Sequence, residues 1–193
     1  RNFIALLFLY MGLFSLTDEY EKHPKIKFLL FNILASSIHI AFVFYFIFLF
    51  ADYKFRPSIF IISSILLSII GHEILSVLSN FTYVAENEFL TDRADNYLES
   101  SSIWSVVICS CQYILHFIVC KKMVGNNSLP NINTRYFMTI TTLMSILIIM
   151  TSINMTFFRL FRNVLLFSSI FILNGFIRKP TKSNLLLIII YII

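Results

Sequence analysis

Long, uninterrupted apolar runs are the feature of this sequence that most restricts its fold. Most are close to the 17–25 residues that a helix needs to cross a bilayer, and short connections carrying most of the charge separate them. Hydrophobic residues make up 58% of the chain and charged residues only 13%, about half the usual fraction of roughly 25%. A soluble domain of 193 residues cannot bury that much apolar surface, so the sequence predicts a multi-span membrane protein.

Charged residues divide the chain into about seven predicted spans. These are helices rather than barrel strands, because a run such as residues 28–50 is apolar on all sides and does not alternate at every second residue. The predicted fold class is therefore all-α, a polytopic transmembrane helix bundle that forms a single multi-span domain over residues 1–193. The chain starts at Arg1 and stops within an apolar run, so we expect both ends to be truncated. The spans cover residues 2–16, 28–51, 58–79, 102–120, 136–153, 159–177 and a stretch from about 184 onward.

The basic residues of alternate connections predict the orientation in the membrane. The turn over residues 18–27, the acidic connection over residues 80–101 and the turn over residues 154–162 form one set, which we expect to face outward. The other set is expected in the cytoplasm together with Arg1, and it contains Lys54, Arg56, Lys121, Lys122, Arg135, Arg178, Lys179 and Lys182. The net charge of +5 would suggest nucleic acid in a soluble protein, but here it lies between spans, so no nucleic-acid partner is expected.

Four ionisable residues lie inside predicted spans: His39, His72, Glu73 and His116. Burying such a side chain in a membrane costs at least a few kcal/mol, so something must compensate. Each histidine is either neutral and bonded to a neighbouring hydroxyl, as Ser36 could bond His39, or part of a functional site. Glu73 must be protonated, paired with a cation or exposed to a water-filled cavity, and each option requires a polar interior. His39, His72 and Glu73 are therefore candidate catalytic residues.

Arg159 and Arg162 are three residues apart, so a helix places both guanidinium groups on one face at the start of the sixth span. Planar guanidinium groups bind phosphate through paired hydrogen bonds, and two of them could hold the diphosphate of a lipid-linked donor and stabilise it as the leaving group. The alternative is that both flank a span and extend to the lipid head groups. Their predicted outward location favours the functional interpretation, because the orientation rule disfavours arginine there.

Several signatures of soluble enzymes and metal sites are missing from the sequence. There is no glycine-rich phosphate loop, GxSxG, HExxH, CxxC or DxD-like carboxylate pair, which weighs against a nucleotide-sugar enzyme or an ATP-driven pump. Cys109, Cys111 and Cys120 share one apolar run, and their spacing neither pairs them locally nor builds a tetrahedral metal site. We expect them to be small buried hydrophobic residues, and we expect no metal or cofactor.

Four short motifs follow one another in a distinctive order. The chain opens with Arg1-Asn2-Phe3-Ile4-Ala5 at the head of a span, and the next span contains Ala35-Ser36-Ser37-Ile38-His39-Ile40-Ala41. Further along come Ala94-Asp95-Asn96-Tyr97-Leu98 in the acidic connection and Arg159-Leu160-Phe161-Arg162 at the start of the sixth span. This order resembles the C-terminal part of the EpsG family of bacterial exopolysaccharide proteins, which is related to Wzy-type O-antigen and capsule polysaccharide polymerases. Asn2 departs from the glutamine that is commoner in that family.

The resemblance implies a polysaccharide polymerase, a glycosyltransferase of the bacterial cytoplasmic (inner) membrane. Such an enzyme transfers a glycan from polyprenyl diphosphate to another lipid-linked repeat unit at the outer face, with arginines neutralising the diphosphate and a His or Glu taking the acceptor proton. Arg1, His39, Tyr97 and Arg159 are the implied key residues, with Arg1, Arg162 and Tyr97 binding substrate. The implied partners are the polyprenyl-diphosphate-linked oligosaccharide, the lipid bilayer and other polysaccharide export proteins. A transporter or flippase of lipid-linked sugars and a non-enzymatic component of the export apparatus remain as alternatives.

Overall fold

The computed structural model describes residues 2–84, 103–126, 128–129, 131–153 and 157–180. Within these ranges the chain is helical and forms no strand, as the sequence predicts. The helices in chain order are α1 (Asn2–Thr17), α2 (Pro24–Ile38), a 3₁₀ helix (Ile40–Phe50), α3 (Pro57–Val84), α4 (Ile103–Gly125), α5 (Thr134–Leu143), α6 (Ile146–Ile153) and α7 (Phe158–Arg178). Pro24 and Pro57 open α2 and α3, where a missing backbone N–H costs least.

Three helical stretches are long and apolar enough to cross a membrane: Val106–Gly125, Thr134–Thr151 and Phe158–Arg178. They correspond to the fourth, fifth and sixth predicted spans. The middle one is interrupted, because α5 ends at Leu143 and α6 begins only at Ile146. The helices Asn2–Thr17, Ile40–Phe50 and Pro57–Gly71 are apolar but shorter. The predicted run from about residue 184 lies outside the described residues, and the total number of spans stays a prediction.

The chain divides into two compact units. The first contains Arg1–Phe55, Leu115–Leu143 and Asn163–Ile193, and the second contains Arg56–Ile114 and Met144–Arg162. Helices α4 and α7 each contribute residues to both units. Each unit has its own packing.

In the first unit, the second predicted span folds back on itself. Helix α2 ends before His39, whose backbone is extended with φ −147° and ψ 108°, and the 3₁₀ helix packs back against α2. At the base, the Nζ atom of Lys25 lies 2.5 Å from Oδ2 of Asp52, and Arg135 donates a hydrogen bond to the carbonyl oxygen of Asp52. The start of α2 and the end of the 3₁₀ helix therefore share one end. Residues 24–52 form a helical hairpin with His39 at its tip, so the prediction of a single crossing over residues 28–51 was wrong.

The 3₁₀ helix is held by a buried line of residues three apart. A 3₁₀ helix has three residues per turn, so every third side chain lies directly above the last, and runs longer than three or four residues are uncommon. Here Phe42, Tyr45, Phe48 and Ala51 are at most 4% exposed. The ring centroids of Phe42 and Tyr45 lie 5.2 Å apart and those of Tyr45 and Phe48 lie 6.0 Å apart. The packing of this line of side chains explains why the 3₁₀ helix extends over eleven residues, although helices of this type are usually short.

Two connections of the first unit, the α1–α2 turn and the α4–α5 connection, meet directly. Asp18 and Ile132 form an antiparallel β-bridge, and the backbone N–H of Asn133 donates to the carbonyl oxygen of Thr17 over 2.8 Å. The turn after α1 therefore lies on the same face as the connection between α4 and α5. The sequence predicts these two connections on opposite sides, and that prediction was wrong because the hairpin returns to the face from which it started.

This shared face, which we call the basic face, carries nine basic residues of the first unit: Lys22, Lys25, Lys27, Lys54, Lys121, Lys122, Arg135, Arg178 and Lys179. The rule that basic connections lie in the cytoplasm predicts that the basic face is cytoplasmic. Helix α1 begins at Asn2, at the end opposite Thr17 and the basic face. Arg1 itself lies outside the described residues, so its assignment to the cytoplasmic set stays a prediction.

Aromatic side chains form the core between α1, α5 and α7. The ring of Phe14 lies 5.1 Å from that of Phe167 and 5.4 Å from that of Phe171, measured between centroids. The ring of Phe171 also lies 5.6 Å from that of Phe137 on α5. Tilted and edge-to-face pairs of this kind add stabilisation beyond the apolar area they bury. They fix α7 against α1 near the basic face of the first unit.

In the second unit, α3 packs against α6. The hydroxyl of Ser145, in the break between α5 and α6, forms a 3.1 Å hydrogen bond with the hydroxyl of Ser64 on α3. Both serines are buried. Two backbone N–H groups after the break, of Leu147 and Ile148, bond three residues back rather than four. The buried serine pair therefore holds the interrupted helix against α3.

Candidate functional site

His39 occupies the tip of the hairpin and is half-buried. Its Nδ1 atom accepts a hydrogen bond from the backbone N–H of Ala41 over 3.3 Å. A neutral imidazole that accepts at one nitrogen carries its proton on the other, so this bond assigns the proton to Nε2. The predicted partner, Ser36, does not bond to it, because the Ser36 hydroxyl is buried without a hydrogen-bond partner. His39 in this conformation is a hydrogen-bond donor.

The ring of His39 continues the buried aromatic line of the 3₁₀ helix. Its centroid lies 5.7 Å from that of Phe42, in an edge-to-face arrangement, and Phe42 packs in turn on Tyr45. The three residues are spaced by three, as the 3₁₀ geometry requires for side chains that stack. The position of the histidine at the tip therefore depends on the rings below it.

Asn163 connects three helices of the first unit and was missed by the sequence analysis. Its side-chain amide donates a 3.1 Å hydrogen bond to the hydroxyl of Tyr45 on the 3₁₀ helix. Its backbone carbonyl accepts a 3.1 Å hydrogen bond from the hydroxyl of Tyr10 on α1. A signal for it existed, since an amide side chain inside an apolar helix usually bonds to a neighbouring helix. Through Tyr45, Asn163 anchors the arm of the hairpin that carries His39.

Arg159 and Arg162 lie at the start of α7, and both are exposed. The first turn of a helix has free N–H groups and a positive dipole end, both of which favour anions. Helix α7 is 21 residues long, or about 30 Å, and its other end carries Arg178 on the basic face. The two arginines therefore lie at the opposite end of α7 from Arg178, and their outward location stays a prediction.

The other predicted site residues are less completely described. Glu73 is exposed on α3 and belongs to the second unit, as do Arg159 and Arg162. His72 belongs to α3, but its side chain lies outside the described residues, as do Tyr97 and Arg1 altogether. The roles of these four residues stay predictions.

The side chain of His116 is enclosed by the protein and lies close to two polar neighbours. It is fully buried, its Nε2 atom lies 2.9 Å from the hydroxyl oxygen of Ser168 on α7, and the sulfur of Cys120 lies 3.4 Å from the same nitrogen. This confirms the interpretation of His116 as a neutral histidine bonded to a hydroxyl.

The three cysteines are free thiols, and Cys109 and Cys120 are buried as expected, whereas Cys111 is exposed. Cys111 follows Cys109 by two residues and therefore lies on another side of α4. The burial predicted for Cys111 was wrong. No group of three His, Cys, Asp or Glu side chains in the described part of the chain could hold a metal ion.

Comparison with known proteins gave one finding. The model of the EpsG family matches residues 1–193, the whole chain, which confirms the resemblance noted from the motifs. Neither the curated proteins nor the solved structures gave a match.

Proposed function

Because this chain belongs to the EpsG family, we propose that it is a membrane polysaccharide polymerase. It joins polyprenyl-diphosphate-linked repeat units at the outer face of the bacterial cytoplasmic membrane, in exopolysaccharide, capsule or O-antigen biosynthesis. The family suggests an exopolysaccharide-related membrane protein, and the three helices long enough to cross a membrane support a multi-pass location. Its proposed partners are the lipid-linked oligosaccharide, the bilayer and other polysaccharide export proteins.

The observation that carries the proposal is the separation of charge along α7. Arg178 ends the helix on the basic face, which holds most of the basic residues of the first unit, whereas Arg159 and Arg162 open the helix at its other end. We propose that the basic face lies in the cytoplasm and that the arginine pair lies on the outer side. Two guanidinium groups and a positive helix end are then available to a diphosphate there.

The proposed reaction is a glycosyl transfer. A bond forms between the acceptor hydroxyl oxygen and the anomeric carbon of the donor, and the bond between that carbon and the diphosphate oxygen breaks. The electron pair leaves with the diphosphate, whose charge Arg159 and Arg162 neutralise. The hydroxyl proton passes to a base, for which we propose Glu73 or His72.

His39 and two further residues are proposed to bind substrate. The Nδ1 atom of His39 is occupied by the Ala41 N–H, so this side chain presents Nε2–H to a substrate oxygen and is better suited to donate a hydrogen bond than to take a proton. Arg1 and Tyr97 are proposed as further substrate-binding residues, on the basis of the family motifs alone.

Replacement of Arg159 tests the proposal. Arg159→Lys keeps the charge but loses the planar fork, and losing one such contact in the transition state is worth on the order of 3 kcal/mol, or about a hundredfold in rate. We expect short or single repeat units in cells that contain Arg159→Lys or Arg159→Ala at normal protein level. Arg178→Lys, at the other end of the same helix, is the matched control and should give wild-type polymer. Wild-type chain length in both Arg159 variants would leave Arg159 as an interfacial anchor.

A transporter or flippase of lipid-linked sugars is the second candidate. Two apolar helical runs are interrupted, at His39 and at the Met144–Ser145 break, and discontinuous helices often line transport sites in membrane proteins. The same Arg159 variants separate the candidates when the two leaflets are sampled. A defective polymerase leaves single repeat units on the outer leaflet, whereas a defective transporter leaves them on the cytoplasmic side.

A further inference from the structure

Two polar side chains with buried, unpartnered atoms, those of Asn32 and Ser36, lie on the side of α2 that ends at His39. Asn32, Ser36 and His39 are spaced by four and three residues, which places them along one side of the helix. Asn32 is 0% exposed, and neither its amide nitrogen nor its amide oxygen has a hydrogen-bond partner. The Ser36 hydroxyl is also buried without a partner. Since about 90% or more of buried polar groups are partnered, three orphaned atoms within two helical turns need an explanation.

Orphaned buried polar atoms lower stability, and an apolar side chain of the same size would avoid the cost. The neighbouring buried positions of α2, Phe28 and Ala35, are apolar. The buried polar atoms of Asn32 and Ser36 therefore lower the stability of the folded protein. The cost is explained if their polar atoms bind a group from outside the chain.

The chemistry of the three side chains defines that group. Asn32 offers two donors and an acceptor, Ser36 offers a donor and an acceptor, and His39 offers Nε2–H. A neutral set with both donors and acceptors matches hydroxyl groups, which also donate and accept, better than it matches an anion or a hydrocarbon chain. We propose that Asn32, Ser36 and His39 form a hydroxyl-binding stripe for the acceptor sugar. This inference rests on the proposed polymerase function, which supplies a sugar hydroxyl near His39.

The stripe runs along α2 from the tip of the hairpin toward its base. Asn32 lies seven residues before His39, about 10 Å along α2. The base of the hairpin is fastened by the ion pair between Lys25 and Asp52, whereas the two arms join at the tip through the single extended residue His39. The stripe therefore begins at the tip of the hairpin, with His39 and then Ser36, and runs toward the fastened base.

Asn32→Leu and Ser36→Ala test the stripe, because both should stabilise the substrate-free protein while weakening its function. We expect a higher midpoint of thermal unfolding in detergent and a loss of about tenfold in polymer formation for Asn32→Leu, with a smaller loss for Ser36→Ala. The probe is the lipid-linked repeat unit extracted from cells that cannot polymerise it. The matched control is Ser110→Ala on α4, since the Ser110 hydroxyl is also buried without a partner. It should raise stability and leave polymer formation unchanged.

Three results would overturn the stripe. Wild-type polymer formation by a stabilised Asn32→Leu would show that the orphaned atoms bind nothing used in the reaction. Destabilisation of substrate-free Asn32→Leu together with wild-type polymer formation would mean that water, which shares the hydroxyl chemistry, is bound there instead of the sugar. An equal loss of polymer in Ser110→Ala would trace the effect to stability alone. Normal polymer from Asn32→Leu beside a defective Arg159→Ala would contradict only the stripe, whereas an Arg159→Ala variant with wild-type polymer would contradict the proposed function itself.

Discussion

The side-chain nitrogen of Lys25 lies 2.5 Å from a carboxylate oxygen of Asp52, although one residue precedes and the other follows a single apolar run. A helix that crossed the membrane once over residues 28–51 would place these two groups on opposite sides of the bilayer. Their contact brings both flanks of this run to the same side. Every connection that precedes the run therefore lies on the side opposite to the one predicted. The lysines of the first turn then join the other basic residues of the basic face.

Cysteine labelling should show that the first turn and the connection after α4 share a side. With the three native cysteines replaced, Lys22→Cys and Asn126→Cys should resist a membrane-impermeant maleimide in intact cells and react after permeabilisation. Arg159→Cys should react in intact cells, because it lies at the opposite end of α7 from the basic face. Labelling at position 22 but not at position 126 would contradict the shared face.

The ion pair at the base of the hairpin should contribute a pH-dependent stability. The hydrogen bond from Lys25 holds the pKa of Asp52 below its ordinary value, which is about 3.9 in an unfolded chain. A lowered folded pKa adds stability above the unfolded pKa, and this stability is lost as pH falls through the folded pKa. Both side chains are more than 40% exposed, so we expect less than about 1 kcal/mol.

The measurement is thermal unfolding of the wild type and Lys25→Met between pH 2 and pH 6. The wild type should be the more stable protein above about pH 4, and the difference should shrink toward zero in stronger acid. Lys22→Met is the control, since Lys22 forms no ion pair with any described residue. A gap between wild type and Lys25→Met that stayed constant over the whole range would show that Asp52 is not the titrating partner.

Tyr45 and Asn163 should be energetically coupled. Tyr45→Phe removes the acceptor hydroxyl and Asn163→Ala removes the donor amide of the 3.1 Å bond. A double-mutant cycle on the free energy of unfolding in detergent should give a coupling of about 0.5–1.5 kcal/mol. Tyr45→Phe combined with Ser168→Ala is the control, because Ser168 bonds to His116 elsewhere on α7. Additive effects for both pairs would mean that the Tyr45–Asn163 bond contributes nothing.

Gly175 should not tolerate a methyl group. A Cβ atom there would lie 2.8 Å from the end of Met123 and 3.0 Å from the carbonyl oxygen of Ser128, and the backbone oxygen cannot move aside easily. Gly175→Ala should therefore lower the free energy of unfolding by about 1–3 kcal/mol. Gly125→Ala is the matched control, since nothing lies within 4 Å of its Cβ position, and it should be neutral or slightly stabilising. Equal unfolding midpoints for the two variants would contradict the close contact of α7 with this connection.

Hydropathy predicted which parts of the chain are helical, but it did not predict that the second apolar run reverses direction. The composition and the apolar runs were enough for the all-α class. Residues 28–50 are apolar on every side, so their pattern shows that the run lies in the membrane and gives no direction within it. The reversal depends on one extended residue, His39, and on opposite charges at the two flanks.

The sequence predicted candidate residues where an ionisable side chain lies inside an apolar span, because burying a charge in a membrane is costly. That cost identified His39, His72 and Glu73 as candidates from the sequence, and their roles stay predictions. It did not identify the Tyr45–Asn163 bond, because its partners are 118 residues apart and a tyrosine among many aromatic residues is counted as apolar. Orphaned atoms such as those of Asn32 become visible only when the packing around them is known.

The winding of the 3₁₀ helix sets how deep the hairpin reaches. Helix α2 has 15 residues and the 3₁₀ helix has 11, yet at about 1.5 and 2.0 Å per residue both arms are about 22 Å long. Eleven residues wound as an α-helix would measure only about 16 Å and would end roughly one turn short of Lys25. The 3₁₀ helix therefore matches α2 in length. It places His39 about 22 Å from the base of the hairpin, a distance that amounts to most of the roughly 30 Å thickness of a hydrocarbon core.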